Sequence, residues 1–367
     1  MVARRRKPLC PPSIDLHSDC RQHATSSPIV FHKFSITLIA VVSSVTAKAE
    51  SYTPDWAKDV IWYQIFPERF HNGDPANDPT RESLDAPENV PENWKVRAWD
   101  SEWFEREQWE KDMAYHFHET LQHRRYGGDL QGVINALDYF KRLGITGLYF
   151  NPIFYADSLH KYDGNTFHHI DPHFGPDPQG DLKIMAQETS DPRTWQWTAA
   201  DRLFLKLIRE AKKRGIRVII DGVWNHTGRD FFAFQDIVKN QEKSKYTSWY
   251  NLIRFDDPKT PENEFDYHAW YGFESLPEFA DNGDNLAPGP RYYVFKATQR
   301  WMDPNDDGDP SDGIDGWRLD VAEEVPIGFW RDWHAFVRRI NPDVFTSAEI
   351  WGSAGDYLRD AHFSSAM

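Results

Sequence analysis

From residue 59 onward, strand-like runs alternate with helix-like runs, and this order limits the possible folds more than any other feature. Residues 60–66 and 217–221 are rich in the β-branched and aromatic side chains typical of buried strands. Residues 133–143 instead repeat apolar positions at the spacing of one helical face, and Gly144 follows as a helix-ending residue. Strands that alternate with helices predict a parallel sheet.

Five strands can be counted, and the last is expected at residues 344–351. Polar side chains at strand ends favour a TIM (β/α)8 barrel, incomplete at about five strands. A doubly wound open sheet is the alternative, but no glycine-rich dinucleotide fingerprint follows any strand. Since only sixteen residues follow residue 351, we expect the fifth strand to be an unpaired edge and the chain alone to be inactive.

Composition and the N-terminal residues limit the possible ligands and the cellular location. A net charge of -15 argues against a nucleic-acid partner, whereas 16 Trp and 15 Tyr suit sugar faces or a large core. The apolar run 34–45, preceded by Lys33 and followed by the A-x-A pattern of Ala47 and Ala49, predicts a signal peptide and a secreted or periplasmic location. That run is too short for a membrane span, and a chance apolar stretch in a disordered tail is the alternative.

Charged side chains stand at the ends of three predicted strands. Asp221 ends the third strand, Arg318 and Asp320 share one face of the fourth, and Glu349 lies near the end of the fifth. A barrel brings such side chains to one rim, and a retaining glycosidase needs two carboxylates about 5–5.5 Å apart. Arg318 should keep Asp320 ionised, while nearby carboxylates should favour a protonated Glu349, so that Asp320 attacks and Glu349 donates a proton.

Three motifs resemble glycoside hydrolase family 13, the α-amylase family. Its first three signatures are matched in order by residues 221–226 (DGVWNH), 316–322 (GWRLDVA) and 348–351 (AEIW). Shorter matches lie at residues 63–70, 126–130, 160–163 and 276–279. The resemblance covers about residues 55–365. The family's fourth signature, which carries a third catalytic aspartate, has no counterpart before Met367.

The resemblance implies catalytic roles for three residues. Asp320 resembles the nucleophile, Glu349 the acid/base and Arg318 the arginine that holds the nucleophile. These assignments agree with the roles expected from strand position and charge.

The resemblance also implies substrate contacts. Tyr162 resembles a residue that stacks on the sugar ring, and His160 and His226 resemble histidines that contact hydroxyl groups. Asp221 resembles a carboxylate that supports the same site.

Calcium is the one cofactor predicted. Asn225 resembles a calcium ligand of many family members. A second candidate is the acidic loop 303–309, whose alternating oxygen ligands would be Asp303, Asn305, Asp307 and Asp309. The loop is no EF-hand, because Ile314 stands where a bidentate glutamate is required. A solvated acidic loop is the alternative.

The predicted organisation has four parts. Residues 1–49 form the leader, 50–225 the first part of the barrel with long loop inserts, 226–300 a domain B inserted after the third strand, and 301–367 a truncated barrel continuation. The predicted function is hydrolysis of α-1,4-glucans through a covalent glucosyl-enzyme. A 4-α-glucanotransferase and a non-catalytic sugar-binding fragment are the alternatives, and the sequence indicates no oligomeric state.

Overall fold

A computed structural model describes residues 52–113 and 115–367. The predicted signal peptide and both cysteines, Cys10 and Cys20, lie outside the described residues. Within those ranges, no helix combines the length and apolar character that a membrane crossing requires.

Eight strands lie among the residues that the structure describes. They are β1 (Trp62–Ile65), β2 (Gly147–Phe150), β3 (Arg217–Gly222), β4 (Leu252–Arg254), β5 (Asp266–Tyr267), β6 (Gly316–Leu319), β7 (Phe345–Ala348) and β8 (Ser365–Ala366).

A six-stranded parallel sheet, with the order β1-β2-β3-β6-β7-β8, is the framework of the fold. The two remaining strands, β4 and β5, pair as a separate antiparallel ribbon. Neighbours in the large sheet follow chain order, as in a barrel of β/α units. The predicted parallel sheet is therefore confirmed.

The predicted count of five strands was one short for this sheet. The sixth strand, β8, has only two residues, both small, and therefore lacks the apolar run by which strands are recognised. β8 pairs in parallel with β7 at Ser347 and Ala348, so β7 is not the unpaired edge that the sequence predicted.

Nine α-helices lie within residues 52–113 and 115–367. They are α1 (Gln108–Asp112), α2 (Phe117–Thr120), α3 (Leu130–Leu143), α4 (Pro178–Met185), α5 (Ala199–Lys213), α6 (Phe232–Asn240), α7 (Pro288–Met302), α8 (Ile327–Ile340) and α9 (Gly355–Arg359). Asp129 caps α3 by accepting the Gly132 N–H group at 2.6 Å, and Gly144 ends it at a φ of 79°. The predicted apolar face of α3 is largely buried, except that Leu143 is 52% exposed.

Alternation along the strands separates two apolar clusters. Leu148 and Val218 lie in the main core with the helices, whereas Tyr149, Ile219 and Phe345 form a second cluster. Successive side chains of a strand point to opposite faces of the sheet, and both faces of this sheet are buried. The register of the strands therefore also sets the direction of the side chains at the strand ends.

The long connection between β3 and β6 contains α6, the β4–β5 ribbon and α7. The predicted division between residues 300 and 301 falls within α7. The assignment of 226–300 as domain B, like the other domain limits, stays a prediction.

Candidate active site

Strand register places the predicted charged residues side by side. Asp221 on β3 pairs with Arg318 on β6, and Arg318 pairs with Ser347 on β7. Asp320 and Glu349 each follow directly after a strand end. All four charged residues therefore lie at the carboxyl edge of the sheet, as the sequence predicts.

One guanidinium group contacts three carboxylates. Nη1 of Arg318 lies 2.8 and 3.0 Å from the two oxygens of Asp221 and 2.7 Å from Oδ1 of Asp320. Nη2 lies 2.9 Å from Oε1 of Glu349. Asp320 and Glu349 are thus held next to each other by one rigid, planar group.

Hydroxyl groups complete the surroundings of Asp221. Tyr149 and Tyr162 donate to Oδ2 of Asp221 at 2.7 and 3.1 Å. Asn151 donates to the Tyr162 hydroxyl at 3.1 Å. Tyr149 and Asn151 were not predicted as site residues. Both lie near the end of β2, and a polar side chain at a strand end is the sequence signal that could have identified them.

The backbone after Asp320 fixes Glu349. Val321 has a φ of 37° and donates its N–H group to Oε2 of Glu349 at 2.9 Å. A β-branched residue seldom adopts this left-handed conformation, which costs on the order of 1–3 kcal/mol. Lys161, between His160 and Tyr162, has a φ of 59°. Both strained residues adjoin side chains of the site.

The pKa shifts of the two carboxyl groups run opposite to those predicted from the sequence. Burial and the nearby Asp221 raise the pKa of Asp320 well above its usual value, and Arg318 only partly offsets them. Burial also acts to raise the pKa of Glu349, but the Val321 N–H group and Arg318 outweigh it and bring that pKa below its usual value. The sequence-based expectation overlooked that Arg318 is shared, so one positive charge serves three carboxylates.

A cleft of about 560 Å³ opens above these groups. Its walls include the predicted residues His160, Tyr162 and His226 together with Asp320 and Glu349. Two aromatic residues to which the sequence analysis gave no role at the site, Trp270 and Trp351, complete one side, and Trp351 is 61% exposed. Exposed aromatic rings beside paired carboxylates suit a sugar ligand.

His226 is positioned by the segment 276–279, another predicted motif. Phe279 donates its N–H group to the Asn225 carbonyl at 2.9 Å, and His226 forms an isolated antiparallel β-bridge with Glu278. Burial lowers the pKa of His226 to about 3, so its ring is neutral at pH 7. Its Nε2 atom is buried without a hydrogen-bond partner among the described residues, which leaves it able to bind a ligand hydroxyl.

The predicted calcium ligands lie in two separate places and do not form one site. Asn225 is buried and its amide lies 3.2 Å from Nδ1 of His226. The loop 303–309 connects α7 to the start of β6, at the edge of the sheet opposite the cleft. Its carboxylates already accept N–H groups of the loop or of the residues directly after it: Asp303 from Gly308, Asp307 from Asp309, and Asp309 from Ser311.

Buried oxygen atoms without partners occur instead at residues 72–77. Oδ1 of Asn72 and both amide atoms of Asn77 have no hydrogen-bond partner among the described residues. Asn77 is 2% exposed, and the carboxylates of Asp78 and Asp129 are nearby. Amide and carboxylate oxygens are ligands that Ca²⁺ prefers. No calcium site was predicted from the sequence at these residues.

A parallel β/α sheet whose strands follow chain order, with charged residues at its carboxyl edge, is typical of β/α-barrel proteins, whose active sites lie at that edge. The family model described as the α-amylase catalytic domain matches residues 64–191 and 198–367. The chain therefore belongs to the α-amylase catalytic-domain family, glycoside hydrolase family 13. The predicted family is confirmed.

Relatives and solved structures agree with this family. Neopullulanase 2 of Thermoactinomyces vulgaris is 37% identical over 315 residues, which cover 86% of this chain and 43% of the relative. Cyclomaltodextrinase of Thermoanaerobacter pseudethanolicus is 35% identical over 319 residues, with coverages of 86% and 43%. The structure of cyclic α-maltosyl-(1→6)-maltose hydrolase from Arthrobacter globiformis matches with a TM-score of 0.62 at 30% identity, covering 86% of this chain and 56% of that one. The chain thus spans less than half the length of these two curated relatives.

Proposed function

We propose that the protein carrying this chain hydrolyses α-1,4-glucosidic bonds of starch-like glucans and retains the anomeric configuration. The observation that carries the proposal is the contact of Asp320 and Glu349 with one guanidinium group at the floor of the cleft. The names of the relatives, neopullulanase and cyclomaltodextrinase, support α-glucans as the substrate class.

In the proposed reaction, an oxygen of Asp320 attacks the anomeric carbon and the bond to the leaving sugar breaks. Glu349 gives its proton to the leaving oxygen, which produces a covalent glucosyl-enzyme. Glu349 then takes a proton from water, whose oxygen attacks the anomeric carbon and releases Asp320. Both carboxylates return to their starting states.

The reaction requires an ionised Asp320 and a protonated Glu349, whereas the pKa of Asp320 is raised and that of Glu349 is lowered. A single proton shared by the pair can sit on either carboxyl group without a change in the total number of protons. A rate profile against pH would therefore remain bell-shaped and would report on the pair, not on either residue alone.

The test is product analysis with starch, pullulan and cyclodextrin, combined with NMR of the first anomer released. Retention and a net increase in reducing ends are expected. Transfer products without that increase would favour a 4-α-glucanotransferase. Inversion, or binding without turnover by the protein that carries this chain, would contradict the proposal.

We also propose that the protein binds structural calcium and is exported. The unpartnered oxygens of Asn72 and Asn77 support calcium more directly than the self-bonded loop 303–309. Export rests on the residues up to Ala49 alone. N-terminal sequencing of protein from the native host should find a start near Glu50, and a mature chain that still contains Cys10 would contradict export.

A further inference from the structure

Three side chains of metal-ligand type converge outside the cleft. One ligand atom each of His168, His169 and Glu188 lies within 4.8 Å of the others. Their side chains are 5%, 1% and 4% exposed, and none of them lines the catalytic cleft. The mechanism proposed above does not use them.

The Nδ1 atom of each imidazole ring already has a hydrogen-bond partner. Nδ1 of His169 lies 2.8 Å from Oδ2 of Asp201, and Nδ1 of His168 lies 2.7 Å from the Tyr293 hydroxyl. The Nε2 atoms of both rings face Oε2 of Glu188, at 3.1 Å from His168 and 2.6 Å from His169. Histidines that bind metals are commonly held in this way, by a carboxylate or hydroxyl on the second nitrogen.

The charged side chains around the cluster carry an excess of negative charge, which a bound cation could balance. Asp201 and Glu188 supply two negative charges, and Arg300, 3.0 Å from Asp201, supplies one positive charge. With neutral imidazole rings, this buried group keeps one uncompensated negative charge, which is costly. A metal ion or a proton on His169 would compensate it, and the two are distinguishable by experiment.

A small cavity adjoins the cluster. It measures about 80 Å³, and its lining includes Thr166, Met185 and Thr189 besides the three candidate ligands. This space accommodates water, which a three-ligand protein site needs to complete a tetrahedral shell.

We propose that His168, His169 and Glu188 form a binding site for a divalent transition metal of the Zn²⁺ type. Two nitrogen ligands and one carboxylate favour Zn²⁺ over Ca²⁺ or Mg²⁺, which prefer oxygen. Ligand atoms of a tetrahedral zinc ion are about 3.3 Å apart. The His168–Glu188 distance is close to this value, and the His169–Glu188 distance must widen when the ion binds.

The site would connect separate parts of the fold. His168 and His169 lie in the connection after β2, and Glu188 lies between α4 and α5. Asp201 belongs to α5 and Tyr293 to α7. An ion bound here would stabilise the packing of these elements.

The experiment uses untagged protein, freed of metal with a chelator and then titrated with Zn²⁺ and with Co²⁺. One equivalent should bind, and Co²⁺ should give the visible absorption of a four-coordinate ion with nitrogen ligands. Glu188→Gln and His168→Asn should each weaken binding at least about 10-fold. His118→Asn, at an exposed position, is the matched control and should bind as the unaltered protein does.

Two results would overturn the proposal. One is folded, unaltered protein that binds no ion under excess Zn²⁺, which would leave a proton as the compensating charge. The other is full binding by Glu188→Gln and His168→Asn, which would place the ion elsewhere. Circular dichroism identifies variants that fail to fold. The Zn²⁺ titration of the unaltered protein tests the proposal even if both variants are unfolded.

Discussion

Asp221 and Arg318 face each other in register on β3 and β6, and one guanidinium nitrogen contacts both carboxylate oxygens of Asp221 at 2.8 and 3.0 Å. The same nitrogen contacts Asp320. The electrostatics of the site therefore depend on how one positive charge is divided among its neighbours.

Replacing Arg318 with glutamine should leave three carboxylates without their cation. We expect Arg318→Gln to lower the free energy of unfolding by about 3–5 kcal/mol at pH 7. The loss should be smaller at pH 4, where the carboxyl groups protonate more readily. Urea unfolding at both pH values measures this. Arg291→Gln, which breaks a half-exposed pair with Asp332, should change stability by less than about 1 kcal/mol. An equal loss at both pH values would contradict the charge argument.

Replacing Asp320 with asparagine should remove the nucleophile. We expect kcat to fall by at least about 10³-fold while glucan binding persists. Hydrolysis rates and a binding isotherm with maltooligosaccharide separate the two effects. Asp360→Asn, at an exposed position outside the cleft, should retain full activity. Hydrolysis at a near-normal rate by Asp320→Asn would remove Asp320 from the proposed mechanism.

The charge of Asp221 should appear in the pH profile. Because Asp221 raises the pKa of Asp320, Asp221→Asn should lower that pKa and move the acidic limb of kcat/KM to lower pH. Overall activity should also fall, since Tyr149 and Tyr162 lose a charged acceptor. The measurement is kcat/KM from pH 3 to 9 for both proteins. An acidic limb that stays in place or moves upward would show that Asp221 does not control the titration.

Glu68 offers a test of buried charge away from the cleft. Burial raises the pKa of Glu68 from 4.5 to about 7, against the opposing effects of Arg125 and Arg69. Because the folded-state pKa is the higher one, the stability that this group contributes is greatest below pH 4.5 and is lost as the pH rises through about 7. Glu68→Gln should reduce this loss by on the order of 2 kcal/mol, whereas the exposed Glu82→Gln should not. Denaturant unfolding at pH 5 and 8 measures the difference, and an unchanged pH dependence would contradict it.

Chelation should lower the thermal midpoint, and added calcium should restore it, because an ion bound only by the folded state stabilises that state. Asn77→Ala should abolish the response if the unpartnered oxygens at residues 72–77 bind the ion. Loss of the response in Asp307→Ala or Asn225→Ala would instead support the sites predicted from sequence. A midpoint that excess chelator leaves unchanged would count against all three.

The sequence predicted which charged residues lie together at the site, but it did not predict the direction of their pKa shifts. Asp221, Arg318, Asp320 and Glu349 could be assigned to one edge because strand ends and alternation are visible in the residue order. The pKa of Asp320 was predicted in the wrong direction, since the sharing of Arg318 depends on register and burial, which are long-range properties. β8 was missed because two small residues carry no strand signal.

The walls and the floor of the cleft come from different parts of the chain. Asp320 and Glu349 follow strands of the sheet, whereas Trp270 lies in the long connection between β3 and β6. Loops tolerate insertion and substitution far better than strands whose register is fixed on two buried faces. In evolutionary terms, the walls of this cleft can diverge among descendants while the charged groups on its floor are inherited unchanged.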